Sequence, residues 1–317
     1  METVREKVLI KKPRKKRIVH NPSVLVPYPG PDPTGETNDI FIYLRPETNG
    51  VEVESALLKV IKGNREYAEN VRLVYLANYP GDYINSKHII EHHYANKIKA
   101  AEKGKKYFTE SMIRMFEDHY SCSFKKAKII NPYDAMKKFG LGEEGLFNIW
   151  VDPEDFITIY GNSIKKYKGY YIINYDIPAL LHKNNYLTDI AVMLFRIYFP
   201  WEKITEMISD MEKTLKENGI IAEKKPVARV FHYTKSPFEQ VQDGIEYLYN
   251  AGKKDPLEIS FIAYAAENGI SIKDILYYIK NPIVKASLAE GNLENTIFEF
   301  TKGMNYREAA AFLNNII

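Results

Sequence analysis

Three side chains in "SKHIIEHHYANK" (residues 86–97), His88, Glu91 and His92, stand in the order H-x-x-E-H. Two imidazoles one helical turn apart can hold a zinc ion while the glutamate serves as general base, the arrangement of inverted zinc peptidases. Helical geometry puts a condition on that chemistry. At about 100° per residue, Ile90, Tyr94, Ile98 and Ala101 form one apolar stripe, and His88 and His92 fall on the opposite side in line with Lys99. The pair reaches a metal only if another layer of protein covers that face, and Lys99 brings positive charge to it. No third ligand is singled out, because Glu143, Glu144 and Glu154 are ordinary members of an acidic-rich sequence. His93 flanks the stripe and reads as a packing residue.

Other motifs lose their chemistry in context. "GLGEEG" (Gly140, Gly142, Gly145) follows a helix and precedes an apolar run, the reverse of a dinucleotide fingerprint, and Glu143 and Glu144 would face the phosphates. It reads as a connecting turn. "FIAYAAENGISIKDILYYIKN" has the small residue, turn glycine and apolar anchor of a helix-turn-helix at Ala265, Gly269 and Ile275. Residues 235–317 nevertheless carry eight Lys/Arg against eleven Asp/Glu, the wrong sign for a polyanion. There is no G-x-S-x-G elbow and no P-loop. Cys122 is the single cysteine, which excludes an internal disulfide and a cysteine-built zinc site, and it reads as a small buried thiol.

A broader constellation follows from strand ends. Ligands of open α/β sheets bind beyond the C-terminal ends of parallel strands. The candidate strands here end in Arg45 and Glu47, Asn78 and Asp82, Asp152, Asn174 and Asp176, and His232 and Thr234. Asn78, Asp82, Asp152, Asn174, Asp176 and His232 are accordingly the candidate ligand-binding set. Turn-forming Asn and Asp are also common at strand ends for purely conformational reasons.

The elements that must position these residues fall into three regions. Residues 1–37 form a basic arm and a Pro-rich linker. Residues 1–20 hold eight Lys/Arg against two Glu, and Lys11, Lys12, Arg14, Lys15, Lys16 and Arg17 are clustered, whereas the rest of the chain is nearly neutral. Such a cluster neutralises phosphates without reading sequence, or meets an acidic protein, or merely solubilises. Residues 38–234 alternate strand and helix signals and imply an α/β domain. Strands are expected at "DIFIYLR", "VRLVYLAN", "KAKII", "LFNIWVD" and "VARVFHY", with a hairpin over "FITIYGNSIKKYKGYYIINYD". Helices are expected at "VEVESALLKVIKG", from about Asn85 to Gly104, and at "TESMIRMFEDHY", "PYDAMKKF", "TDIAVMLFRIYF" and "WEKITEMISDMEKTLKENG". Residues 235–317 read as all-α, with caps at Ser236, Ser271 and Asn305 each followed three residues on by a carboxylate. Their spacing suits a degenerate helical-hairpin array or a plain bundle.

With 317 residues, 45% hydrophobic and 27% charged, the chain has an ordinary globular composition. Its most apolar run, "DIAVMLFRIYFPW", contains Arg196 and is shorter than a membrane span. The basic start is not a secretory signal, so a cytoplasmic location is expected, or a nuclear one in a eukaryote. The 24 tyrosines suit base stacking, but an A/T-rich coding bias yields the same composition.

The sequence therefore implies a mixed, partly parallel α/β sheet flanked by helices, an all-α C-terminal domain and a basic arm. The leading functional reading is a non-catalytic binding or assembly protein. Its arm contacts nucleic acid or an acidic protein, and residues 235–317 contact a protein partner or a second copy, with no membrane involved. The alternative is an enzyme or sensor for a small phosphorylated or nucleotide-like ligand at the strand rim. A zinc hydrolase using His88, Glu91 and His92 is third; otherwise no cofactor is predicted.

Overall fold

The computed structural model describes residues 18–45, 48–184, 187–222, 230–251 and 254–317. The clustered Lys11, Lys12, Arg14, Lys15, Lys16 and Arg17, and Glu47, lie outside the described residues. The strands are β1 (Ser23–Val26), β2 (Asn38–Leu44), β3 (Val71–Tyr79), β4 (Ile129–Ile130), β5 (Phe156–Ile159), β6 (Asn162–Tyr167), β7 (Tyr170–Ile173), β8 (Ile190–Ile197), β9 (Phe231–Tyr233), β10 (Ile283–Leu288) and β11 (Gly291–Thr296). They assemble into a five-stranded sheet ordered β1-β3-β8-β2-β9, a four-stranded sheet ordered β4-β7-β6-β5, and the hairpin β10-β11.

The central strands β2 and β8 of the larger sheet are buried on both faces, and side-chain alternation divides their residues cleanly. Ile40, Ile42 and Leu44 of β2, with Ala191, Met193, Phe195 and Ile197 of β8, pack under the helices Val51–Gly63 and Trp201–Glu217. Phe41 and Tyr43 of β2, Tyr75, Ala77 and Tyr79 of β3, and Val192 and Leu194 of β8 face the other way. There they meet Tyr83, Ile84, Ile89 and Ile90, and Tyr247 of the helix Pro237–Tyr247. Ser236 caps that last helix by accepting Glu239 N, and Pro237 fills its first turn, where a missing N–H costs nothing.

Several expectations are corrected. "TDIAVMLFRIYF" is not a helix; it supplies the central strand β8. Burial on both faces removes the period-2 signal that marks a half-exposed strand, leaving a run that periodicity alone cannot classify. The larger sheet is antiparallel throughout, and among the described residues the parallel pairing is confined to β4 with β7. The expected helix from Asn85 to Gly104 is broken into Gly81–Ser86, Ile89–His93 and Ala95–Lys103, with His88 in the left-handed region at φ 53°. "LFNIWVD" contributes the end of the helix Glu143–Phe147 and a loop. Residues 235–317 are not all helical. After the helices Ser260–Glu267 and Ile272–Lys280 comes the β10-β11 hairpin, whose buried Val284 and Ala286 alternate with exposed Lys285 and Ser287. The three caps do form, with a full capping box at Asn305 and Glu308.

One buried ion pair fastens the C-terminal helices to the sheet. Asp39 and Arg196 lie opposite each other on β2 and β8. Arg196 donates to both carboxylate oxygens, Nε to Oδ1 at 2.8 Å and Nη2 to Oδ2 at 2.9 Å. Ser260 Oγ adds a third hydrogen bond to Asp39 Oδ2 at 2.6 Å. Asp39 is 1% exposed, so removing its cation strands a charge in the interior. Arg196→Met should cost roughly 3–5 kcal/mol in chemical denaturation, and Asp39→Asn/Arg196→Met should recover part of it. A loss below about 1 kcal/mol in the single variant would contradict this account.

Candidate functional site

The buried polar cluster sits on the helix 237–247 side of the sheet, where register and helix phase converge. Tyr43 of β2 pairs with His232 of β9, so both rings project from one face and stack with centroids 4.5 Å apart. Directly above them, Asp243 and Tyr247 occupy successive turns of the helix, and Tyr247 packs 4.5 Å from Tyr43. On its other side this helix packs closely on Ile259 because Gly244 has no side chain; a Cβ there would meet Ile259 Cγ1 at 2.8 Å. His93, the last residue of the helix Ile89–His93, enters from the side with its ring edge-on to His232 at 5.4 Å.

The hydrogen-bond arrangement is incomplete. Asp243 is fully buried and accepts from Thr234 Oγ1 at 2.8 Å; His232 Nε2 lies 3.2 Å from the same oxygen, Oδ2. Thr234 in turn accepts Phe41 N at 3.0 Å, tying the carboxylate to β2. His93 Nε2 lies 3.2 Å from Tyr43 Oη, and Gln242 Nε2 donates to the His93 carbonyl at 2.9 Å. Asp243 Oδ1 and His93 Nδ1 face each other at 3.5 Å, and both are buried without a hydrogen bond. Buried polar groups are nearly always satisfied, so two facing orphans call for an explanation. Among the described residues, His93, His232 and Asp243 are the one set of three or more His, Cys, Asp or Glu side chains with converging ligand atoms.

Burial sets the protonation of this group. It pushes both His93 and His232 down to about 3, so both imidazoles are neutral at physiological pH. Burial pushes Asp243 up to about 6, against the lowering effects of His93, Thr234, Lys235 and Arg45. Glu239, whose Oε2 accepts Lys235 N at 2.6 Å, is also raised by burial. Arg45 donates to Tyr94 Oη at 2.9 Å and stands over the Tyr43 ring at 5.7 Å.

His93 also lines a cavity of about 670 Å³, with Tyr94, Gln242 and Glu239 beside it. Lys97, Lys99 and Lys280 line it as well, as do Glu246 and Glu299. Lys97 is committed to Asp176 at 2.7 Å, and Glu246 to His92 and Lys254. Lys99 and Lys280 are exposed and form no ion pair among the described residues.

Of the residues selected from sequence, His232 belongs to this cluster. His88 and His92 are 66% and 59% exposed; His88 Nδ1 lies 3.3 Å from Glu91, and His92 Nδ1 lies 3.4 Å from Glu246. Asn78 donates to Asp189 at 3.2 Å, and Asp82 accepts from His20 at 2.7 Å. Asp152 precedes the turn Pro153–Asp155, with its carbonyl accepting Asp155 N. Asn174 is buried in the smaller sheet, where it accepts Ser163 N and donates to Lys97 O and Asn162 Oδ1; Asp176 binds Lys97 and Ser163. The antiparallel order sends neighbouring strand ends to opposite edges, which removes the common rim that a parallel sheet would supply. Sequence reasoning missed Asp243 and assigned His93 to packing. Asp243 does share the helical face of Gln240, Gly244 and Tyr247, so a carboxylate on a burying face was the available signal.

The pH dependence of stability follows from these shifts. The folded-state pKa of each histidine lies below its unfolded value near 6.5, so the unfolded chain binds more protons between about pH 6.5 and 3 and stability falls on acidification. Asp243, raised from 3.8 to about 6, opposes this between about pH 4 and 6, because there the folded chain binds the extra proton. Two histidines outweigh one carboxylate. In chelator-treated protein the midpoint of thermal unfolding should drop between pH 7.5 and pH 5, and drop less in His232→Gln; a midpoint that rises over this range would contradict the assignment.

No known protein family, curated protein or solved structure matches the chain, and the functional reading rests on the chemistry of this cluster and its cavity.

Proposed function

We propose that the protein binds a small anionic molecule, such as a phosphorylated or nucleotide-like metabolite, in the cavity beside His93, and that the His93–Asp243–His232 group acts on it. The observation that carries this reading is the coincidence of a cavity of suitable size with a buried, incompletely satisfied His/Asp cluster at its wall. Small-molecule sites are concave, largely apolar and furnished with a few convergent polar groups. Ile245, Ile279 and Phe298 supply the apolar wall, and the exposed Lys99 and Lys280 supply charge for an anion. Perturbed titratable groups cluster at functional sites, and His93 is such a group with direct access to the cavity.

A thermal-shift screen of nucleotides and phosphorylated metabolites tests this. At least one should stabilise the protein, and Lys99→Ala/Lys280→Ala should weaken that ligand about tenfold or more, since two charge-assisted contacts are removed. If no anionic ligand shifts the unfolding midpoint, or if the double variant binds unchanged, the reading fails.

A second reading concerns the basic segment. The concentration of eight Lys/Arg in residues 1–20 favours salt-sensitive contact with nucleic acid or another anionic surface. Deleting these residues should abolish binding to a nonspecific DNA duplex at low salt. Equal binding by the truncated chain would remove this reading without touching the first.

A further inference from the structure

The two facing orphans in the cluster, with the ligand types around them, point to a cation. We propose that His93 Nδ1, His232 Nε2 and the Asp243 carboxylate bind one divalent transition-metal ion of the zinc class. The proposal rests on the reading of the cavity as a functional site and supplies its cofactor. It concerns a different set of side chains from the exposed His88, Glu91 and His92.

The spacing of each histidine from the Asp243 carboxylate suits a shared ion, with one carboxylate oxygen facing each imidazole. Metal–nitrogen and metal–oxygen bonds of about 2.0–2.2 Å at a tetrahedral ion separate ligand atoms by roughly 3.3–3.5 Å. His93 Nδ1 lies 3.5 Å from Asp243 Oδ1, and His232 Nε2 lies 3.2 Å from Asp243 Oδ2. All the ligand atoms lie within 4.8 Å of one another, so closing on an ion needs only a small inward movement. The ligand side chains are 8%, 10% and 0% exposed for His93, His232 and Asp243. Water is thus a poor competitor for His93 Nδ1 and Asp243 Oδ1, which no hydrogen bond claims, and metal binding would exchange the His232–Asp243 contact for coordination.

The surroundings resemble the outer support that metal-binding histidines require. A ligating imidazole is oriented by a hydrogen bond from its other nitrogen. His93 Nε2 has Tyr43 Oη at 3.2 Å; with Nε2 protonated and donating there, the Nδ1 lone pair points to Asp243. His232 is held flat by stacking on the same tyrosine. Thr234 Oγ1 steadies Asp243. A buried carboxylate is costly without a compensating charge, and a cation at Asp243 would add to the offset that Arg45 and Lys235 already supply. Three protein ligands leave a position for water or a substrate oxygen, the pattern of catalytic rather than structural zinc. His93, which belongs to both cluster and cavity, provides the connection.

The test is metal binding by the full chain. Protein treated with a chelator and dialysed should take up one equivalent of Zn2+, with a rise of several degrees in its unfolding midpoint, and Co2+ should give the visible absorption of a low-coordinate site. Asp243→Asn, which keeps the side-chain shape, and His93→Gln should weaken binding at least a hundredfold. Tyr43→Phe should weaken it by roughly 10–100-fold, and His88→Gln/His92→Gln should leave it unchanged. Absence of stoichiometric uptake by the folded wild-type chain overturns the proposal, whatever the stability of the variants, and leaves His93 and Asp243 as a buried polar contact without a metal. Undiminished uptake in folded Asp243→Asn, or loss in the His88/His92 variant, also overturns it. Stabilisation by an anionic metabolite in chelator-treated protein would preserve the cavity reading on its own.

Discussion

The structure depends on the burial of both faces of the larger sheet. β2 is buried throughout and β8 at every residue but the partly buried Arg196, so neither strand tolerates water on either side. Each face must be covered, and the chain does this with helices drawn from widely separated segments. The helices 51–63 and 201–217 cover one side, and the segment 81–93 with the helix 237–247 covers the other. Fully burying one large apolar side chain contributes about 1.5–3 kcal/mol. The sheet presents many on each face, and no single polar contact competes with their sum.

That constraint also creates the polar cluster. The helix 237–247 is held between two clusters: its Tyr247 packs with Phe41 and Tyr43 on the sheet, while its Phe238 and Val241 pack with Ile259, Phe261 and Tyr306 of the C-terminal elements, and Gly244 lets it approach Ile259. Once the helix is in place, the residues on its inner face have no escape to solvent. Gln240 meets this by donating to Tyr306 Oη and accepting Phe261 N. Asp243 meets it only in part, with one oxygen engaged by Thr234 and His232 and the other left facing His93. The hydrophobic assembly thus bears the cost of holding a carboxylate and two neutral imidazoles together away from water. This is how folds commonly support groups whose chemistry differs from that in solution.

Legibility in the sequence followed the range of the interaction responsible. β2, β3, the helices 51–63 and 201–217, and the caps at Ser236, Ser271 and Asn305 all rest on local patterns and were read correctly. β8 was misread because two-sided burial erases alternation. The break at His88 was missed because periodicity does not register a single left-handed residue. The β10-β11 hairpin did carry a period-2 pattern at Val284 and Ala286, ending at Glu290 and Gly291, but the helical signals on either side obscured it. The strand-end residues were sound as turn and cap residues; their assembly into one rim presupposed parallel strands.

What the sequence determined by itself was local: where most helices begin, which strands are apolar, how charge divides between the first twenty residues and the rest, and that no cysteine pair constrains the chain. Tertiary structure alone decided which polar groups meet. His93 sits beside a more conspicuous H-x-x-E-H motif and looked like packing, yet burial and the positions of β9 and the helix 237–247 bring it to His232 and Asp243. The histidines of the motif are left at the surface. The physical reason is that contact between residues so distant in sequence is set by sheet order and helix docking, which arise from the summed burial of many apolar side chains and leave no mark in the spacing of the few residues they bring together.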